Sequence, residues 1–291
     1  MFDVDNNNLY NISMFDIFIF YIFILGAIVG SFINVVALRY GTKMSSLHGR
    51  SICFHCNHDL KWFELIPIFS FLFLRGKCRV CKTRISPQYL LVEIITGIVF
   101  VGIFLRQYNL WPLYSAMSHG LLYSVLFFIY YATVFSILII ISLYDFRHKI
   151  IPDKLVYSFI ALSTLKLLLF LYCKGLPISA VDIFNLLSPF ILAVPFALLW
   201  YFSEGKWIGF GDAKLVFGIS ALLGLVCGLS AVVLAFWLGT LWALYVWVHS
   251  KISGHSELGL KSEVPLAPFL ILATFIIFLW HFDFFGINLL F

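Results

Sequence analysis

Long apolar runs, broken at intervals by clusters of charge, set the organisation of this chain. Scanned in windows of about 20 residues, the pattern predicts eight membrane-spanning helices. They fall at about 15–38, 89–105, 119–144, 155–172, 186–202, 213–228, 230–249 and 266–285. The sixth and seventh are divided at Cys227-Gly228. One long polar interruption separates the first two spans. The predicted architecture is an all-α polytopic membrane protein with three parts: an N-terminal segment and first helix over 1–39, a loop lobe over 40–88, and a bundle over 89–291.

Composition excludes a soluble domain. Of 291 residues 62% are hydrophobic and 11% charged, with a mean hydropathy of +1.01; soluble domains carry about 25% charged residues. The first span is expected to be retained rather than cleaved. It follows Asp3, Asp5, Asn6, Asn7 and Asn8 instead of a basic region, and no small-residue cleavage site closes it.

The net charge of +5 is modest, and its distribution matters more than its size. Arg39, Lys43, Arg50, Lys61, Arg75, Lys77, Arg79, Lys82 and Arg84 lie in one loop. By span parity Arg147, Lys149, Lys154, Lys206, Lys214, Lys251 and Lys261 share its side. Of the 19 basic residues only Arg106, Lys166 and Lys174 fall elsewhere. The positive-inside rule then places the N-terminus outside and the long loop in the cytosol. The charge reports orientation, not a nucleic-acid partner.

That orientation bears on six cysteines. Cys53-x-x-Cys56 and Cys78-x-x-Cys81 form two knuckles able to supply four thiolates to one tetrahedral zinc. Disulfides are the competing reading, disfavoured in a reducing cytosol. With every position a cysteine, the site has no open coordination position and is read as structural. Cys173 and Cys227 read as small apolar residues. Between the knuckles Trp62 to Leu74 is apolar but too short to cross the bilayer, and carries Glu64 and Pro67. It is expected to lie at the membrane interface or to pack on the bundle.

Two aspartates stand at span ends, Asp145 after the third span and Asp212 before the sixth. The chain crosses out and back between them, so both lie at the cytosolic face. Two close carboxylates share a proton and supply the base and the acid that peptide hydrolysis needs. Gly209 and Gly211 beside Asp212 are expected to permit unusual backbone angles and close approach of substrate. The alternative is two independent aspartates capping helix N-termini. A transporter with ion-coupling aspartates is a further alternative, but it leaves the knuckles without a purpose.

These residues together resemble the type IV prepilin peptidases. The likeness rests on Gly30-Ser31-Phe32-Ile33-Asn34, both knuckles, Ile85-Ser86-Pro87-Gln88-Tyr89, Val92-Glu93, Asp145 with Ile151-Pro152-Asp153, Gly209-Phe210-Gly211-Asp212-Ala213-Lys214, and Pro265-Leu266-Ala267-Pro268. Tyr144-Asp145 and Gly209-x-Gly211-Asp212 also resemble presenilin-like proteases, but the knuckles favour the prepilin enzyme. The resemblance implies a catalytic pair Asp145 and Asp212, and cleavage of a short basic leader after a glycine in prepilin and pseudopilin precursors. It implies N-methylation of the new terminus from S-adenosylmethionine, and residence in the bacterial inner membrane. No glycine-rich nucleotide motif appears in the chain. Glu93 is a candidate contributor to methylation, with interfacial solvation as its alternative. Ile208 replaces a common family Met, and Pro265-Leu266-Ala267-Pro268 replaces Pro-Phe-Gly-Pro, differences expected to bear on substrate fit.

Overall fold

The computed structural model describes residues 6–42, 51–53, 55–112, 119–252 and 265–280. Among them the helices are α1 (Asn6–Arg39), the 3-10 turn η1 (Trp62–Leu65), α2 (Phe69–Phe73), α3 (Gln88–Asn109) and α4 (Gly120–His148). There follow α5 (Asp153–Lys174), α6 (Ala180–Phe202), α7 (Phe210–Leu223), α8 (Leu225–Ile252) and α9 (Ala267–Trp280). The described residues contain no strand beyond two isolated bridges. All-α architecture is the outcome that the apolar runs predict.

Among the described residues six helices are long and apolar enough to cross a membrane: α1 from Phe15 onward, α3, α4, α5, α6 and α8. The other two predicted spans correspond to α7 and α9, of 14 residues each. At 1.5 Å per residue α7 reaches about 21 Å, short of the roughly 30 Å hydrocarbon layer. The last predicted span extends to 285, and its final residues lie outside the described ones.

The chain forms two compact units, Met1–Ile140 and Ile141–Phe291, divided within α4. In the first, α1 lies along α3. The contact is made by absent side chains. A Cβ on Gly26 would stand 2.8 Å from Gly97 Cα, and one on Gly30 2.9 Å from Glu93 Cα. Such a small-x-x-x-small face lets two helix backbones approach where no hydrophobic effect drives helix against helix. Asn34, buried one turn on, donates to Tyr89 O at 3.2 Å and ties α1 to the start of α3.

In the second unit α7 is the axis, packed by α5, α6, α8 and α9. Leu215, Val216, Ile219 and Leu222 are fully enclosed, and Gly218 admits the Phe159 ring, which a Cβ would meet at 2.4 Å. A helix covered by protein need not match the bilayer thickness. Its backbone groups still need partners, since lipid offers none. Lys166 Nζ reaches from α5 to donate to Leu222 O at 2.8 Å. In α6 Pro189 leaves the carbonyl of Asn185 without its helical donor, and the Ser188 hydroxyl supplies one at 2.8 Å.

The break between the sixth and seventh predicted spans lies at Gly224, not at Cys227-Gly228, which belongs to the first turn of α8. Gly224 takes φ +83°, its N–H closing on Ser220 O, and Asn185 Oδ1 accepts the Leu225 N–H at 3.1 Å. A Cβ there would stand 2.8 Å from that oxygen. Gly228 is helical, and a Cβ there would meet the flexible tip of Leu192 at 3.1 Å and Ser220 Cα at 3.3 Å, both longer than the contact at Gly224. Gly224→Ala should therefore lower the thermal midpoint in detergent by more than Gly228→Ala. A left-handed residue other than glycine costs about 1–2 kcal/mol before any clash with Asn185. Equal midpoints would place the hinge elsewhere.

Candidate active site

Two helix ends in the second unit carry the predicted acids. Asp145 lies in the last turn of α4, buried, and its carboxylate accepts the backbone N–H of Ala267, the first residue of α9. The four N–H groups at a helix start lack internal partners and carry partial positive charge. The start of α9 thus supplies a fixed dipole to a carboxylate that has little water. Pro268 sits in that first turn, where its missing N–H costs nothing.

Asp212 occupies the first turn of α7, and its carboxylate accepts the backbone N–H of Gly209, the residue that caps the helix. Asp145 acts on it electrostatically, so the two carboxylates are neighbours. Each keeps one backbone N–H and neither is ion-paired to Lys or Arg among the described residues. One proton between them lets one oxygen accept a proton from water while the other carboxyl donates one to a leaving group.

The glycines act differently from the sequence expectation. Gly209 has φ −73° and ψ 145°, angles open to any residue, and Gly211 is helical. No unusual backbone conformation is involved. Gly211 is required by contact: a Cβ would stand 2.8 Å from Ile151 Cβ. At Gly209 the nearest atom to a Cβ would be Asp212 Oδ2 at 3.4 Å, an ordinary contact. The chain entering α5 is thus pressed against the turn that carries Asp212.

A second fastening lies beside it. Lys214 Nζ bonds Asp153 Oδ1 at 2.6 Å and stands 5.0 Å from the Tyr157 ring centroid and 5.1 Å from that of Phe210. Asp153 is exposed and engaged by this lysine, which separates it from the acid pair. Ile151, Asp153, Lys214 and the Ala267 N–H were not separable from the flanking motifs in the sequence. For Ala267 a signal existed: a small residue between prolines at the start of an apolar run.

The first unit holds the cysteines. Cys53 N–H bonds His58 O and Asn57 N–H returns to Cys53 O; Cys78 with Thr83 O, and Lys82 with Cys78 O, repeat the pattern. Asn57 and Lys82 both take positive φ, 54° and 60°. The bridges Ile52 to Asp59 and Lys77 to Arg84 close each hook. The hooks bring four Sγ atoms within 4.8 Å of one another, with Cys53 to Cys81 at 3.8 Å and Cys56 to Cys78 at 4.0 Å. A disulfide needs about 2.05 Å, whereas tetrahedral thiolates about 2.3 Å from zinc lie about 3.8 Å apart. The four cysteines form a site able to hold a metal ion. The Thr83 hydroxyl and N–H draw the Cys81 thiol down to about 6. The His58 N–H favours the Cys56 thiolate, yet burial and three neighbouring sulfurs push that thiol up to about 11. Cys227 is buried, as expected, while Cys173 is exposed near the end of α5.

Glu93 is buried in α3, hydrogen-bonded by Ser31 of α1 and by the Ile68 N–H at 2.7 Å. It joins two helices to the lobe. That placement differs from the solvated interfacial position considered above.

Residues 24–107 match the family model described as the bacterial peptidase A24 N-terminal domain, and residues 132–244 that of the type IV leader peptidase family. A prepilin leader peptidase/N-methyltransferase of Myxococcus xanthus is 46% identical over 84 residues, covering 29% of this chain and 25% of that protein. One of Xanthomonas campestris is 29% identical and covers 89% of this chain and 90% of its own length. One of Klebsiella pneumoniae is 30% identical, covering 70% and 84%. No solved structure matches the chain.

The unequal surroundings of the two glycines yield a measurable difference. Gly211→Ala should destabilise the protein by about 1–3 kcal/mol, the usual cost of overpacking, and reduce proteolysis with it. Gly209→Ala should leave the thermal midpoint near that of the parent. Thermal unfolding of both variants in detergent checks this, and a stable Gly211→Ala would remove Ile151 as the constraint.

Proposed function

The chain belongs to the type IV leader peptidase family, and from that premise we propose that it cleaves prepilin and pseudopilin precursors with Asp145 and Asp212 and then N-methylates the exposed residue. The observation that carries the acid assignment is the pairing of two carboxylates at neighbouring helix ends, each held by a backbone N–H, from Ala267 and from Gly209. In this reading one carboxyl is neutral and the other charged. The charged group takes a proton from water as the water attacks the scissile carbonyl. The neutral group protonates the departing amine, and the pair ends the cycle with its roles exchanged.

The protein is a multi-pass membrane protein with six long apolar helices among the described residues. We place it in the bacterial inner membrane, with the N-terminus outside and the acid pair at the cytosolic face. The support is the one-sided distribution of Lys and Arg. α5 and α6 form the excursion that returns the chain from Asp145 to the side of Asp212.

We assign zinc to the four cysteines, in a structural role, because the sulfur separations suit a tetrahedral ion and no position is left open. S-adenosylmethionine supplies the methyl group in the second reaction.

The test of the function is incubation of the purified protein with a prepilin, with and without S-adenosylmethionine, read by intact mass. Loss of the leader in both samples and a further methyl in one is expected. Asp145→Asn and Asp212→Asn should each abolish cleavage with the protein still folded, and the double variant should be scarcely worse than either single, because the two act as a unit. Substantial cleavage by either single variant would remove that residue from the role.

Metal analysis should find one zinc per chain, lost on replacing Cys53, Cys56, Cys78 or Cys81 by serine. Such variants should show a loosened lobe, seen as faster amide exchange over 51–84, while cleavage falls less than methylation. Absence of zinc together with two disulfides would overturn both the metal and the orientation.

A further inference from the structure

The lobe turns an apolar face outward. Trp62, Leu65 and Ile66 are exposed on η1 and its C-terminal cap, and Phe69, Leu72 and Phe73 on α2; Trp62 is 78% accessible and Phe73 84%. Each triad has the spacing i, i+3, i+4, which gathers side chains on one side of a helical turn. The inner side is already filled. Glu64 is buried there and accepts the Lys61 N–H at 2.8 Å, and the Phe71 ring covers Gly76, where a Cβ would stand 2.9 Å away. The outward residues are therefore not displaced core. Six large apolar side chains within one short segment exceed the scattered exposure normal for a surface.

The segment is held at a definite depth. Ile68, between the two turns, takes φ +64°, a costly conformation for a β-branched residue. Its N–H donates to Glu93 Oε2 at 2.7 Å. Glu93 lies in the second turn of α3, about 8 Å along the axis from the start of that helix. With 22 residues, α3 is about 33 Å long, close to the hydrocarbon thickness. The bond thus fixes the apolar face near the end of a membrane-crossing helix.

Charge points to what covers it. Lys61 and Arg75 flank the face, Lys77, Lys82 and Arg84 follow, and Arg79 stands over the Phe63 ring at 5.2 Å; the acids of this stretch are Asp59 and Glu64. A second copy of the chain would bring like charges together, which is unfavourable. Anionic phospholipid headgroups attract them, at about 1 kcal/mol for each Lys or Arg near the surface.

We propose that Trp62–Phe73 is an interfacial anchor: its apolar face lies among the upper acyl chains and its flanking cations contact anionic headgroups. The lobe is then held by the bilayer as well as by Glu93.

Tryptophan quenching in the full-length protein tests this. The protein is placed in phosphatidylcholine vesicles, with or without phosphatidylglycerol, whose acyl chains carry bromine at shallow or deep positions. Subtracting the Trp62→Phe signal isolates Trp62. Phe73→Trp in the Trp62→Phe background gives a second reporter, decisive if loss of Trp62 alone disturbs the lobe, and unchanged prepilin cleavage certifies both variants. The expected result is loss of most of each difference signal with shallow bromine, less with deep bromine, little with aqueous iodide, and a gain in shallow quenching with phosphatidylglycerol. Iodide quenching without bromine quenching would overturn the proposal. Crosslinking between copies at Phe73 without bromine quenching would overturn it in favour of a self-association surface.

Discussion

A backbone polar group without a partner is intolerable where water is absent, and the second unit is arranged around that constraint. α7 is short and enclosed from Ala213 to Leu222, while Gly209 and Phe210 at its start are exposed. Gly209 and Asp212 exchange backbone and carboxylate bonds at one end, and Lys166 takes a carbonyl at the other. Asn185 receives the first N–H of the next helix. The same partners that satisfy the backbone also fix the height and rotation of the turn bearing Asp212. An acid pair needs positional control of this kind, because a shared proton depends on separation. Structural accounting and proposed chemistry are one problem here.

Much of this was legible in the sequence because its determinants are local. Apolar length identifies helices, and paired Cys-x-x-Cys identifies a four-sulfur cluster whatever lies between. Span parity yields the expectation that Asp145 and Asp212 share one side without knowledge of packing. The hinge at Gly224 was not legible, because apolar residues flank it on both sides and hydropathy does not change there. Its distinguishing partner is Asn185, forty residues away. The Ala267 N–H was signalled only indirectly, by a small residue between prolines, because backbone donors have no letter in a sequence.

The glycines show how one part of a motif's explanation can fail. Gly209-x-Gly211-Asp212 lies at the turn that opens α7, but neither glycine needs a left-handed backbone. Gly211 admits Ile151, and Gly26 and Gly30 likewise admit α3. In each case the glycine is defined by what approaches it. A composition-based argument about flexibility would assign the opposite property, since these are among the tightest contacts in the molecule.

The two cysteine hooks share hydrogen bonds, the same left-handed residue after the second cysteine and the same closing bridge. An ion joining them closes the 21 residues from Asn57 to Lys77 into a ring. The entropy of closing a ring grows only with the logarithm of its length, so doubling that stretch would cost about 0.6 kcal/mol. The metal site therefore sets little limit on the length of the intervening chain. What fixes that stretch is the Ile68 N–H bond to Glu93 and the Phe71 ring over Gly76, contacts made outside the hooks.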